Sequence, residues 1–423
     1  MGKANKILKA YALAKEEYAA WGIDTDSVLR ILEEVAISVQ CWQADDVGGF
    51  ETPEASLSGG GIQATGNYPG KARSHTEMKQ DLEFALSLVA GSHRVNLHAI
   101  YGDFGGKKVD RDAILPEHFQ GWVDWASGQN LKLDFNCTCF SHPRANDGFT
   151  LSSRDRGNRD FWIEHVKRCR EISAWMGRTL GSRTIHNIWI PDGTKDQTVD
   201  RLLYRELLFQ SLDEIFKTDY PAKEMADSIE SKLFGIGSEA YVVGSHEFYL
   251  GYGLSRNKMI CIDMGHFHPT ESVADKVSAL LLFTGELMFH FSRGVRWDSD
   301  HVVSLNDELT MLALEIVRAN ALKRVNIGLD FFDASINRIG AYVLGIRNTQ
   351  KSILFALLEP LVSLRAYEAA GRNFERLALL EEEKTRPFGA VWDYFCHSHC
   401  VPAGADFIEE IRAYENKVLS NRK

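Results

Sequence analysis

MICIDM at residues 259–264, LMFHFS at 287–292 and RVNIGLDF at 324–331 are short apolar runs, each long enough for one buried strand and too short for a helix. Between them, residues 272–282 and 309–322 repeat apolar side chains every three or four positions, the mark of an amphipathic helix. Strands separated by such helices build a parallel sheet, because each crossover must travel back along the strand it leaves. The alternation extends toward the N-terminus through five more strand candidates, ISVQCWQAD (37–45), RVNLHAIY (94–101), LKLDFNCTC (131–139), IHNIWI (185–190) and DSIESKLF (227–234). Helical spacing fills the gaps at 77–90, 116–127, 159–176 and 199–216.

Eight strands in units of roughly thirty residues are what a (β/α)8 barrel requires, and such barrels run to about 250 residues before insertions. A doubly wound open sheet would carry a glycine-rich phosphate loop after its first strand. The segment 48–70 is rich in glycine but never reads G-x-G-x-x-G ahead of a helix. The predicted class is therefore α/β, a TIM barrel with additional helices at both ends. Residues 1–36 form an N-terminal helical segment, 37–348 the barrel, and 349–423 a C-terminal helical extension whose apolar faces need a cover, either the barrel's helix ring or a second subunit.

The 423 residues are 44% hydrophobic and 25% charged, with a net charge of −10, which fits a soluble globular chain and not general disorder. No window approaches the ~18 uninterrupted apolar residues of a membrane span, and no apolar signal core lies in the first twenty residues. The expectation is a cytoplasmic protein without a membrane or nucleic-acid partner, since no basic run is present to meet phosphates. The 7 cysteines, an odd number, read as reduced thiols. Cys137 and Cys139 read as strand residues rather than a redox pair. The CHSHC stretch at 396–400 lacks the second ligand pair of a zinc site.

In a barrel of this kind, function gathers at the C-terminal ends of the strands. There the sequence places Glu230 and Lys232 (ESK), Asp263 and His266 (DMGH), His290 inside LMFHFS, Asp298 and Asp300 in VRWDSDH, and Asp330 at the end of the last strand. Taken singly, each has an ordinary reading as a cap, a solvated loop residue or a satisfied core histidine. Jointly, Glu230, Asp263, His290 and Asp330 follow one another at 33, 27 and 40 residues, one βα unit per step, so four consecutive strands aim at one point. Carboxylates and imidazoles so gathered would repel one another unless cations sat between them. An oxygen-rich set with few histidines suits Mn²⁺, Mg²⁺ or Co²⁺ better than Zn²⁺. Seven ligands exceed the need of one ion, so two are expected.

In these contexts the chain resembles the L-rhamnose isomerase family. The segments CWQADDVGGFE, GGIQATGNYPGKAR, NLHAIYGD, LDFNCTCFSHP, NIWIPDG, ESKLFGIGSE, CIDMGHFHPTE, RWDSDHVV and GLDFFDASINRI look like family segments in family order. The pattern is less clearly kept at 58–61 and in CHSHC. The resemblance implies a barrel assembled as a homotetramer through the extra helices, acting on L-rhamnose to give L-rhamnulose, the first step of its catabolism. It implies Mn²⁺ in two sites, with Co²⁺, Mg²⁺ or Zn²⁺ as substitutes. It assigns His266, Asp298 and Asp300 to a catalytic ion and Glu230, Asp263, His290 and Asp330 to a structural or substrate-holding one, Asp263 bridging. Lys232, His98, Trp189 and Asp330 are placed against the sugar, with Lys232 donating near the carbonyl oxygen and His98 assisting ring opening. Another aldose isomerase, or a metal-dependent phosphoesterase using Arg293, Arg296 and Lys232 against phosphate, is the competing reading. A hydride shift and an enediol proton transfer both remain open.

Overall fold

A computed structural model describes residues 2–51, 62, 64–295 and 298–422. The glycine run at 58–61, Arg296 and Trp297 lie outside the described residues.

Eight parallel strands close into a barrel. In chain order they are β1 (Ile37–Gln40), β2 (Arg94–His98), β3 (Lys132–Asn136), β4 (Thr184–Ile188), β6 (Met225–Glu230), β8 (Met259–Asp263), β9 (Leu287–Phe291) and β10 (Val325–Leu329), and β10 pairs with β1 to complete the ring. Two short strands, β5 (Gly193–Thr194) and β7 (Tyr241–Val242), form an antiparallel ribbon between the loops that follow β4 and β6. All eight strand candidates are thus present, each shorter than its apolar run. The run 37–45 pairs only as far as Gln40, after which Cys41–Ala44 wind into a 3-10 turn; 94–101 likewise ends in a 3-10 turn at Ala99–Tyr101.

The outer helices are α3 (His75–Ser87), α4 (Gln120–Gly128), α5 (Arg156–Leu180), α6 (Arg201–Ile215), α7 (His246–Arg256), α8 (Ala274–Leu280), α9 (Asp307–Arg318) and α10 (Arg338–Leu357). Four of these starts are written in the sequence as caps. The side chains of Ser74, Asp155, Asn306 and Asn337 accept from backbone N–H groups in the first turns of α3, α5, α9 and α10, each worth about 1 kcal/mol. Helix α5 stops at Gly181, left-handed at φ 61°.

At the N-terminus, α1 (Lys3–Ala19) and α2 (Thr25–Glu33) precede the barrel. Helix α10 runs unbroken through position 349 and is buried along most of its length. Beyond it come α11 (Leu361–Ala369), α12 (Asn373–Glu383), α13 (Phe388–Ser398) and α14 (Phe407–Lys417). Two of these are tied to the rest by stacked aromatics: Tyr394 of α13 on Tyr11 of α1 at 3.7 Å, and Tyr414 of α14 on Phe84 of α3 at 4.1 Å. Arg422 adds a buried ion pair to Asp81 at 2.6 Å. Helices α11 and α12 bury only Leu364 and Glu383. No helix among the described residues is long and apolar enough to cross a membrane.

The cysteines are free thiols. Cys137 and Cys139 lie just past β3, buried, with their sulfurs 3.4 Å apart. In CHSHC, Cys396 packs into the core and Cys400 is exposed; among the described residues neither joins a metal-ligand cluster.

Candidate metal centre

The register of the barrel decides which side chains meet. Asp263 on β8 pairs with His290 on β9, and Glu230 on β6 pairs with Cys261 on β8. Glu230 and Asp263 are the last residues of their strands and Asp330 immediately follows β10. One ligand atom each from Glu230, Asp263, His290 and Asp330 lies within 4.8 Å of the others. His290 Nδ1 is 3.2 Å from Glu230 Oε1, 3.0 Å from Asp330 Oδ2 and 3.7 Å from Asp263 Oδ2.

The remaining oxygens of two of these carboxylates are tied up. Asn187 Nδ2 donates to Glu230 Oε2 at 2.5 Å, while Gly265 N at 2.5 Å and Ser292 Oγ at 2.7 Å donate to Asp263 Oδ1. Each carboxylate therefore turns its other oxygen inward, and these outer hydrogen bonds fix the orientation of the inner donors.

Next to this cluster, His266 Nε2 contacts Asp298 Oδ2 at 3.0 Å, and its Nδ1 stands 3.3 Å from Glu230 Oε1. Glu230 Oε1 is thus the oxygen that faces both imidazoles. Asp298 and Asp300 sit on a loop closed by the Arg293–His301 bridge, with Asp300 in the left-handed region at φ 49°, a conformation that Asp tolerates better than most residues. Asp300 is in neither of the ligand clusters found among the described residues. It does lie in the same electrostatic field: burial, with Asp298, Asp330 and Asp263 nearby, pushes its carboxyl well above the usual range. The glycine of DMGH has a steric reason, since a Cβ at Gly265 would fall 2.9 Å from Asp298 Oδ1 and 3.2 Å from Asp263 Oδ1.

Lys232 is buried, its Nζ 5.0 Å from the centre of the Trp189 ring. Burial lowers its pKa, opposed by Asp298 and Asp300. Trp189 also runs nearly parallel to His266 at 6.5 Å. His98 is fully buried at the end of β2, stacked on Trp42 at 4.0 Å. Its Nε2 is 2.7 Å from Gln40 Oε1 and its Nδ1 3.2 Å from Thr138 Oγ1. With a carbonyl oxygen as acceptor, Nε2 carries the proton, and Nδ1 accepts from the hydroxyl. Gln40, Asn187, Ser292, Trp42 and Thr138 are site residues that the sequence reading passed over. Gln40 and Asn187 stand at C-terminal strand ends, where a search for charged groups alone does not look.

The donor set fits divalent ions. Five carboxylates converge against two imidazoles and one ammonium, and burial together with Asp330, Glu230 and Asp298, opposed by His266, pushes Asp263 up to about 7. His266 Nδ1, His290 Nε2 and Asp330 Oδ1 are buried without a hydrogen-bond partner among the described residues. Such a surplus of buried anionic donors is satisfied by cations and by little else.

The sequence matches the L-rhamnose isomerase (RhaA) family over residues 5–422. The chain belongs to the L-rhamnose isomerase family. Among its relatives, L-rhamnose isomerase of Bacteroides thetaiotaomicron is 59% identical over the full length of both chains. That of Rhodopirellula baltica is 57% identical, covering 100% of this chain and 98% of the relative, and that of Escherichia coli K12 is 55% identical, covering 99% of each. Members of the L-rhamnose isomerase family are aldose–ketose isomerases. The phosphate reading gains no support from Arg293, whose Nε is committed to the Val302 carbonyl at 3.1 Å; Arg296 lies outside the described residues.

Proposed function

We propose that this chain interconverts L-rhamnose and L-rhamnulose at the strand ends of β6 to β10, using two divalent ions with Mn²⁺ preferred. The observation that carries the reading is the convergence of Glu230, Asp263, His290 and Asp330 within 4.8 Å, in a chain of this family. Glu230, Asp263, His290 and Asp330 would hold one ion, and His266, Asp298 and Asp300 the other. When bound, the ions supply Lewis acidity to the sugar oxygens at C1 and C2, where charge develops as hydrogen moves between those carbons.

The chain's own groups do the rest. Lys232, kept dry beside Trp189, donates a hydrogen bond to the carbonyl oxygen. Trp189 packs against the apolar face of the 6-deoxy sugar and excludes water. His98, neutral and held by Gln40, exchanges the Thr138 hydroxyl for a sugar oxygen as the ring opens. We assign the active form to a homotetramer of the cytoplasm serving L-rhamnose breakdown. The test is ketose formation from L-rhamnose by chelator-treated protein with and without added Mn²⁺. Ketose appearing only with metal is expected; none with Mn²⁺, Co²⁺ or Mg²⁺ rejects the reading. Running the reaction in deuterated water separates the two routes, since solvent label enters the product only through an enediol.

A further inference from the structure

Cys261 precedes Asp263 by two residues on β8, so the pleat turns both side chains to the same face of the strand, into the barrel. It lies one side chain below Asp263 on that face, register partner of Glu230 on one side and of Met288 on the other. A Glu230 oxygen, the Cys261 sulfur and a His290 nitrogen all lie within 4.8 Å of one another. The three residues are no more than 1% exposed, and His290 keeps a buried ring nitrogen, Nε2, without a hydrogen-bond partner among the described residues. Beneath them the barrel interior is apolar and rich in sulfur, with Met259 and Met288 packed around Cys261 and Ile185.

A carboxylate, an imidazole and a thiol in one dry pocket form a softer donor set than the carboxylates above, and soft ligands select thiophilic ions. We propose that Glu230, Cys261 and His290 form a second, overlapping site that takes a thiophilic divalent cation of the Zn²⁺ and Cd²⁺ class. On binding, the thiol proton passes to solvent and the sulfur becomes a ligand. Because Glu230 and His290 belong to both sets, occupation of the deeper site excludes the hard ion from the upper one. The site depends on these three donors alone, whichever sugar the enzyme takes.

The probe is Cd²⁺, whose thiolate complexes absorb in the near ultraviolet. The full chain is prepared metal-free in a Cys400→Ser background, which removes the exposed thiol, and titrated with Cd²⁺. The thiolate band is expected to saturate at a single ion per chain and to be suppressed competitively by Mn²⁺. Cys261→Ser is expected to lose the band and weaken Cd²⁺ binding about tenfold or more, while its thermal midpoint still rises with Mn²⁺, which shows a folded barrel. Cys261→Ala serves if the serine variant misfolds. An undiminished band in either variant, or no band in the background protein, overturns the proposal.

Discussion

Gly265 leaves room for the carboxylate of Asp298: a Cβ on Gly265 would stand 2.9 Å from Asp298 Oδ1, so a methyl group there has to push that carboxylate aside. Gly265 also donates its backbone N–H to Asp263, so one residue sets the spacing of two carboxylates. Gly265→Ala is expected to keep the barrel, by circular dichroism, and to cut turnover about 100-fold, the usual cost of misplacing a reacting group by an ångström. Near-normal kcat in this variant would show that the contact relaxes without consequence.

Asp298→Asn and Asp300→Asn each remove an anionic donor from a loop outside the barrel core. Both are expected to lower kcat by about three orders of magnitude or more while leaving the thermal midpoint within a few degrees. If either variant turns over normally at saturating Mn²⁺, that residue has no part in holding the catalytic ion.

Glu230, on β6, and Asp330, just past β10, are brought together across two intervening strands, so the proposed ion between them would tie half of the barrel rim. Its removal is expected to lower the thermal midpoint as well as the activity, by the linkage that gives about 2.7 kcal/mol at a ligand concentration 100 times Kd. Calorimetry before and after chelation checks it, and an unchanged midpoint on complete metal removal rules out a structural role.

The sequence discloses burial more faithfully than pairing. Cys41, Trp42 and Ala44 are buried beyond the last ladder bond of β1, so the apolar run continued where the strand did not. Helix α7 gives no clear helical signal in the sequence because HEFYLGYGLSR contains Gly251 and Gly253, poor helix formers, and packs by aromatic rings rather than by an aliphatic stripe. Within the site, charged residues embedded in apolar strands were legible because burying them demands a reason. Gln40, Asn187 and Ser292 carry no charge and look like any strand end. Only distances such as the 2.5 Å from Asn187 to Glu230 give them a role.

Glu383, at the end of α12, is buried with one oxygen that has no hydrogen-bond partner among the described residues. Burial and the neighbouring Glu359 carboxylate, opposed by Arg318, push it up to about 8. The native state then keeps a proton that the unfolded chain releases near the ordinary value of 4.5, so stability falls as pH rises from there to about 8 and the loss is complete above it. Glu383→Gln is expected to raise the thermal midpoint clearly at about pH 8.5, by a few kcal/mol at most, and hardly at all at about pH 4.5. A difference that does not depend on pH would mean that Glu383 is ionised throughout.

The last expectation concerns assembly. Helices α11 and α12 hold Val362, Phe374 and Leu377 at 87%, 79% and 59% exposure within the single chain. Cutting the chain before residue 349 would sever the buried middle of α10 and so would test the barrel, not the interface. Point changes on the exposed faces are the cleaner probe. Covering those faces between subunits would contribute ~25 cal/mol per Å² of apolar area, less the cost of association, and a buried charge there would forfeit it. Phe374→Glu and Leu377→Glu are therefore expected to shift the species seen by light scattering from a tetramer to smaller, folded ones with unchanged helix content. A full-length protein that scatters as an active monomer, or charge variants that remain tetrameric, would place the assembly surface elsewhere or remove it.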